Sequence, residues 1–190
     1  EYIETTGTQW IDTGVKGPAK WIYDIQYMHT DQRQLMGHGG MGGEYWGITN
    51  GLYGKAEWST SDIPAGGRDG FQVNNFPDTQ KAGDGGAVYI NGVYAYNNSY
   101  DPQSEESSAQ MFAENGKNAN FCILWRCMVY DVDDNIIRDF IPAVRKSDGV
   151  AGLYDAVNKR FYQSQGSSAF VHAGIVVDAN SIIIGYDYSS

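Results

Sequence analysis

The sequence predicts an all-β protein, a two-sheet antiparallel sandwich, on three observations. Apolar and polar residues alternate with period two, as in Trp21, Tyr23, Ile25 and Tyr27 against Ile22, Asp24, Gln26 and Met28, the spacing that sends successive side chains to opposite faces of a strand. Asn91-Gly92 separates two strand-like runs, and this pair favours the type I′ hairpin turn, whose central residues both need positive φ. The composition, 24 Gly and 14 Tyr with leucine only at Leu35, Leu52, Leu124 and Leu153, favours strands and turns, so helices should be few and short. A chain of 190 residues fits one such domain around one core.

Along the chain, residues 21–28 read as a half-buried strand. Residues 37–43, Gly-His-Gly-Gly-Met-Gly-Gly, read as a loop. They lack the Gly-Lys-Ser/Thr ending and the following helix signal of a phosphate cradle. Gly86-Ala87-Val88-Tyr89-Ile90 and Val93-Tyr94-Ala95-Tyr96 form the hairpin arms, and residues 97–108, polar and acidic with Pro102, make a second loop. The run 121–129 is apolar on nearly both faces, with Phe121, Ile123, Trp125, Cys127 and Val129 on one and Cys122, Leu124, Arg126 and Met128 on the other. Such a strand belongs in the middle of a sandwich, with Trp125 buried between the sheets. On a regular strand the odd separation of Cys122 and Cys127 sends them to opposite faces, which argues against a disulfide between them.

A turn over 131–135 then leads to a strand over 136–141, which Pro142 is expected to end because it cannot donate to a ladder. Arg138 and Asp139 alternate across that strand, so one faces inward or lies at the sheet edge. At least one should be held by a charge-assisted hydrogen bond. Strands are expected around 149–155, 160–162 and 170–174. Residues 175–177 and 181–186 are expected to add a hairpin or to lead into a neighbouring domain, giving a main domain over 1–174 and an extension over 175–190. No repeat of 20–50 residues occurs.

The formal charge of −10 repels phosphate backbones and anionic lipid over about a Debye length, ~8–10 Å at physiological salt. Nucleic acid and membrane surfaces are therefore not expected partners. No run of 18 apolar residues supplies a spanning helix. The chain opens on Glu1 without a methionine, from which a mature product or an excised module is expected.

Two segments carry a family resemblance. One comprises Phe121-Cys122-Ile123-Leu124-Trp125-Arg126-Cys127-Met128-Val129-Tyr130-Asp131, Ile136-Ile137-Arg138-Asp139-Phe140-Ile141-Pro142, Gly149-Val150-Ala151-Gly152-Leu153-Tyr154-Asp155, Arg160-Phe161-Tyr162 and Phe170-Val171-His172-Ala173-Gly174. The other is the opening Tyr2-Ile3-Glu4-Thr5-Thr6-Gly7-Thr8-Gln9-Trp10-Ile11-Asp12-Thr13-Gly14. Together they resemble the concanavalin A-like (laminin G-like) jelly-roll modules of gut Firmicutes surface proteins and their phages. The resemblance implies a jelly-roll sandwich and a non-catalytic recognition module on an extracellular bacterial protein or a virion, binding a glycan or cell-surface polysaccharide. A structural or decoration domain that contacts neighbouring protein domains is the alternative. The acidic turn at 131–135 is longer than the Asn-Gly type turn usual in such modules.

Hydrolases on this sandwich place two catalytic carboxylates on one strand face, two or four residues apart. The glutamates here, Glu1, Glu4, Glu44, Glu57, Glu105, Glu106 and Glu114, form no Glu-x-Asp-x-Glu pattern, so no enzyme of that type is expected. Asp131, Asp133 and Asn135 repeat as in the first half of a calcium loop, but without the Gly and bidentate Glu that complete it. A solvated turn is the simpler reading, and no cofactor is expected. His29, His38 and His172 are too scattered for structural zinc. Sugar recognition needs an aromatic platform beside planar amides or carboxylates. The middle of the chain supplies Trp46 and Trp58, then Tyr53, Tyr45 and Asn74, as the candidate ligand-binding residues. For each aromatic the competing role is packing in the core or across strands.

Overall fold

Strand-forming sequence dominates the structure, a computed structural model describing residues 1–27, 33–38, 47–50, 67–75, 86–98, 108–113, 121–173 and 183–184. Its strands, in chain order, are β1 (Tyr2–Glu4), β2 (Ile11–Asp12), β3 (Ala19–Tyr27), β4 (Arg33–His38), β5 (Gly47–Asn50), β6 (Arg68–Asn75), β7 (Gly86–Ile90), β8 (Val93–Asn98), β9 (Ala109–Met111), β10 (Cys122–Tyr130), β11 (Ile136–Arg145), β12 (Val150–Asp155), β13 (Arg160–Gln163), β14 (Val171–Ala173) and β15 (Ile183–Ile184). The described residues contain no helix. All pairings are antiparallel, as expected.

Eleven strands form one large sheet, whose main path runs β13-β12-β11-β10-β3-β6-β7-β8. Strand β1 bridges β10 and β14, and β15 pairs with β11. A second sheet of four strands runs β2-β9-β4-β5. One apolar cluster joins Trp21, Tyr23 and Ile25 of β3, Phe71 and Val73 of β6, Val88 of β7 and Leu124 of β10 with Ile11, Ala109 and Met111 of the second sheet. Burying each large side chain of this kind stabilises by about 1.5–3 kcal/mol before chain entropy is counted. The period-two pattern of β3 is what commits one of its faces to the cluster.

The hairpin matches its sequence signal. Asn91 and Gly92 have φ of 50° and 78°. The Asn91 side chain also ties the turn to β6, accepting from the Gly70 N–H at 2.8 Å and donating to Asp69 Oδ1 at 2.8 Å.

Four expectations are corrected. Trp125 is half-buried, not enclosed between sheets, because β10 carries a bulge. Leu124 pairs with Ile25 and Arg126 with Asp24, leaving Trp125 as an extra residue in the ladder. That insertion resets the alternation, so Cys127 and Val129 return to the face already used by Cys122 and Leu124, and all four are fully buried. The two cysteines therefore share the core face instead of opposing one another; both are free. Nor does Pro142 end β11, which continues to Arg145. On one side β11 pairs with β10 up to Phe140 and with β15 from Ala143 onward. Pro142 falls in the gap between these ladders, where no donor is required of it. Finally, Gly37 and His38 belong to β4, pairing with Gln110 and Ala109 of β9. The rest of that glycine-rich segment lies outside the described residues.

Arg138 and Asp139 are both tied down, as expected. Asp139 takes a two-pronged bond from Arg126, with both N–O distances 2.8 Å. Arg138 lies 3.4 Å from Asp155 Oδ2 and donates to the Ile137 and Thr13 carbonyls. Asp155 is completely buried and accepts from the backbone N–H groups of Asp139 and Val157 and from Asn158 Nδ2. Buried charge persists only with this degree of pairing.

Candidate functional site

Committing one face of β3, β6, β7 and β10 to the core leaves the opposite face of these strands outside the apolar cluster. Cross-strand register builds that face in rows. Met128 pairs with Ile22, Ile22 with Gln72, Gln72 with Tyr89 and Tyr89 with Tyr94, one row across β10, β3, β6, β7 and β8. Beside it lies a second row of Tyr130, Lys20, Asn74 and Ala87. A third holds Arg126, Asp24 and Gly70.

Side-chain chemistry on this face is aromatic, amide and charge-paired. Tyr89 and Tyr94 meet edge to face at 5.9 Å and 76°, a favourable arrangement for two ring quadrupoles. Tyr94 is 37% exposed and Tyr89 half-buried. Gln72 Nε2 donates to Asn74 Oδ1 at 2.9 Å. At the other end the Tyr130 hydroxyl lies 3.5 Å from the Met128 sulfur, and the Lys20 ammonium sits 4.6 Å above the Tyr130 ring. Beyond the third row, Arg68 stacks 4.2 Å over Trp125, which also meets Tyr2 at 5.8 Å. Alternation from the buried Leu124 turns the Trp125 indole to this side, and the bulge keeps Arg126 there as well.

Among the described residues each cation on this face has an acidic partner. Lys20 pairs with Asp134, Arg68 with Asp24 through Nε–Oδ1 at 2.7 Å, and Arg126 with Asp139. The described charges of this face thus balance although the chain carries −10.

Of the sequence candidates, Asn74 lies on this face, 7% exposed, where it accepts from Gln72 and neighbours Lys20 and Ala87 in register. Trp46, Trp58, Tyr53 and Tyr45 lie outside the described residues. Trp125, Tyr130, Gln72, Tyr89 and Met128, which lie on this face, were not among the sequence candidates. The polar half of the alternation in β3 marks an outward face, but the partners on β6, β7 and β10 follow only from register.

The acidic turn uses its own ligands. Asp131 Oδ1 accepts from the N–H groups of Asp133 and Asn135, each at 2.9 Å, and Asn135 Nδ2 donates to Oδ2 at 3.0 Å. These bonds, led by the Asn135 side chain, hold the Asp131 carboxyl below its ordinary range. Among the described residues no group of three or more His, Cys, Asp or Glu side chains is placed to hold a metal ion. No helix among them is long and apolar enough to cross a membrane.

Comparison with protein-family models, with curated proteins and with solved structures found no match in any of the three.

Proposed function

We propose that this chain is a non-catalytic carbohydrate-binding module with a jelly-roll sandwich fold, working on an extracellular bacterial protein or a phage particle. The observation that carries this reading is the outward face of the large sheet. Aromatic rings of Tyr89, Tyr94 and Tyr130 flank the amides of Gln72 and Asn74 in adjacent rows. Sugars offer apolar C–H faces to rings and hydroxyls to planar amides, so this mixture suits them. The missing Glu-x-Asp-x-Glu pattern supports binding without cleavage. Trp46, Trp58, Tyr53 and Tyr45 are proposed as additional contacts.

A glycan array followed by calorimetry tests the reading. Tyr94→Ala should weaken sugar binding on the order of tenfold, from the loss of roughly 1.4 kcal/mol of ring contact, with the melting temperature nearly unchanged. Trp46→Ala and Trp58→Ala should weaken binding in the same way. No binding to any glycan refutes the reading, and release of shorter sugars refutes its non-catalytic part.

A second reading, a structural or decoration domain, draws on the exposed apolar residues of edge strands, Val93 on β8 at 69% and Val171 on β14 at 48%. Among the described residues β8 and β14 each lie at a sheet edge, and edges of that kind are sites for pairing with other chains. Concentration-dependent association in sedimentation, abolished by Val171→Lys, would favour it.

A further inference from the structure

We infer that the ligand is an uncharged, extended oligosaccharide lying across the strands, about four sugar units long, and not a terminal sugar held in a loop pocket. This deepens the reading above and rests on it. The row Met128, Ile22, Gln72, Tyr89, Tyr94 crosses five strands, four spacings of about 4.8 Å, roughly 19 Å in all. One strand spacing is close to the length of one pyranose in an extended chain, so successive sugars meet successive strands. The row is half-buried along its length and ends at the exposed Tyr94 ring.

Its lining changes in order. Tyr89 and Tyr94 offer ring surfaces at one end, Gln72, its amide held by the buried Asn74, lies in the middle beside Ile22, and Met128 and Tyr130 close the other end. A flat, equatorially linked chain presents ring faces and hydroxyl edges along its whole length, which is what a row of this kind contacts. A compact terminal sugar would meet only one or two of these strands.

Charge selects among glycans. The three cations, Lys20, Arg68 and Arg126, are each matched by Asp134, Asp24 and Asp139, and the whole chain is acidic. Uronate or phosphate groups would therefore meet neutral pairs within a repulsive long-range field. A neutral chain pays no such penalty.

Calorimetry with the full chain and neutral linear cello-, manno- and xylo-oligosaccharides of two to six units tests the inference, with polygalacturonate as the acidic control. Binding to at least one series should tighten with each added unit up to about four and level off beyond. Tyr94→Ala should weaken the four-unit ligand on the order of tenfold while leaving the two-unit ligand within about twofold. Tyr130→Ala, at the opposite end, should reproduce that length dependence and carries the test if Tyr94→Ala folds poorly. A disaccharide binding as tightly as the hexasaccharide overturns the extended-chain inference and leaves the sugar-binding reading standing. Tighter, salt-sensitive binding of polygalacturonate overturns the neutral-ligand part. Failure of every glycan, including those on the array, overturns both readings, and self-association lost in Tyr94→Ala would assign the face to a second copy of the chain.

Discussion

Replacing Asp155 with alanine probes the interaction on which the β11–β12 region depends. The carboxylate is completely buried and accepts from Asp139 N–H at 3.1 Å, Val157 N–H at 3.1 Å and Asn158 Nδ2 at 2.7 Å, with Arg138 Nε 3.4 Å away. Alanine removes the acceptor and leaves its donors. The Val157 and Asn158 groups belong to an exposed turn and can turn to water, whereas the Asp139 amide is buried and the Arg138 side chain is only 21% exposed. An orphaned buried donor costs roughly 1–3 kcal/mol and breaking a buried ion pair about 3–5 kcal/mol. These overlap here, so the expected loss is about 3–5 kcal/mol. For a chain of this size each kcal/mol moves the melting temperature by roughly 2–4 °C, which gives a fall on the order of 6–20 °C. Asp155→Asn keeps one acceptor oxygen and should lose about half as much. Thermal and urea melts of both variants decide it: a fall in Asp155→Ala of less than about 2 °C means that the network supports nothing.

Further outcomes follow from the same geometry. Leu124→Ala should cost about 2–5 kcal/mol through an emptied core position, against about 1–2 kcal/mol for the half-buried Trp125→Ala, which loses the Tyr2 and Arg68 contacts; the reverse order in urea melts would return Trp125 to the core. A Cβ on Gly166 would lie 1.7 Å from the Thr8 carbonyl oxygen, so Gly166→Ala should destabilise by about 1–3 kcal/mol or more by parting the 164–166 loop from the first strands, and an unchanged melt would show that this approach is not close. Burial pushes the Cys122 thiol from 9.0 up to about 12 and raises Cys127 as well. Native protein should therefore resist iodoacetamide near pH 8 and react at both thiols once unfolded. Because the folded values lie above the unfolded ones, this contribution to stability is intact below pH 9 and falls as the pH rises toward 12; rapid native labelling would contradict the buried placement. Asn135→Ala should raise the Asp131 carboxyl toward its ordinary value in a carbon-detected NMR titration. The wild-type contribution, from a depressed folded value, is present above the ordinary aspartate range and lost as pH falls through the folded one; an unmoved titration would show that Asn135 does not hold the carboxyl.

Features that one strand or one turn decides alone were legible in the sequence. The alternation of β3 named its buried face, because a side-chain period of two is a local property of an extended chain. Asn91-Gly92 announced its hairpin, because positive φ at two successive positions selects those residue types. Arg138 and Asp139 announced paired charges, because an unpaired one cannot be buried. The partners, Arg126 and Asp155, come from other strands and could not be named in advance. What the tertiary structure decided is register. A single extra residue at Trp125 reversed the face of everything after it in β10 and brought two cysteines five residues apart onto the same side, and no local pattern distinguishes a bulge from a regular strand. Pro142 was read as a strand end because its missing N–H was weighed without knowing that β10 and β15 leave a gap there. The outward row from Met128 to Tyr94 exists only because β10, β3 and β6, distant in sequence from one another, align their pleats with the β7–β8 hairpin. The hairpin alone sets Tyr89 beside Tyr94, but the adjacency of the remaining side chains is a property of the ladder and of no segment by itself.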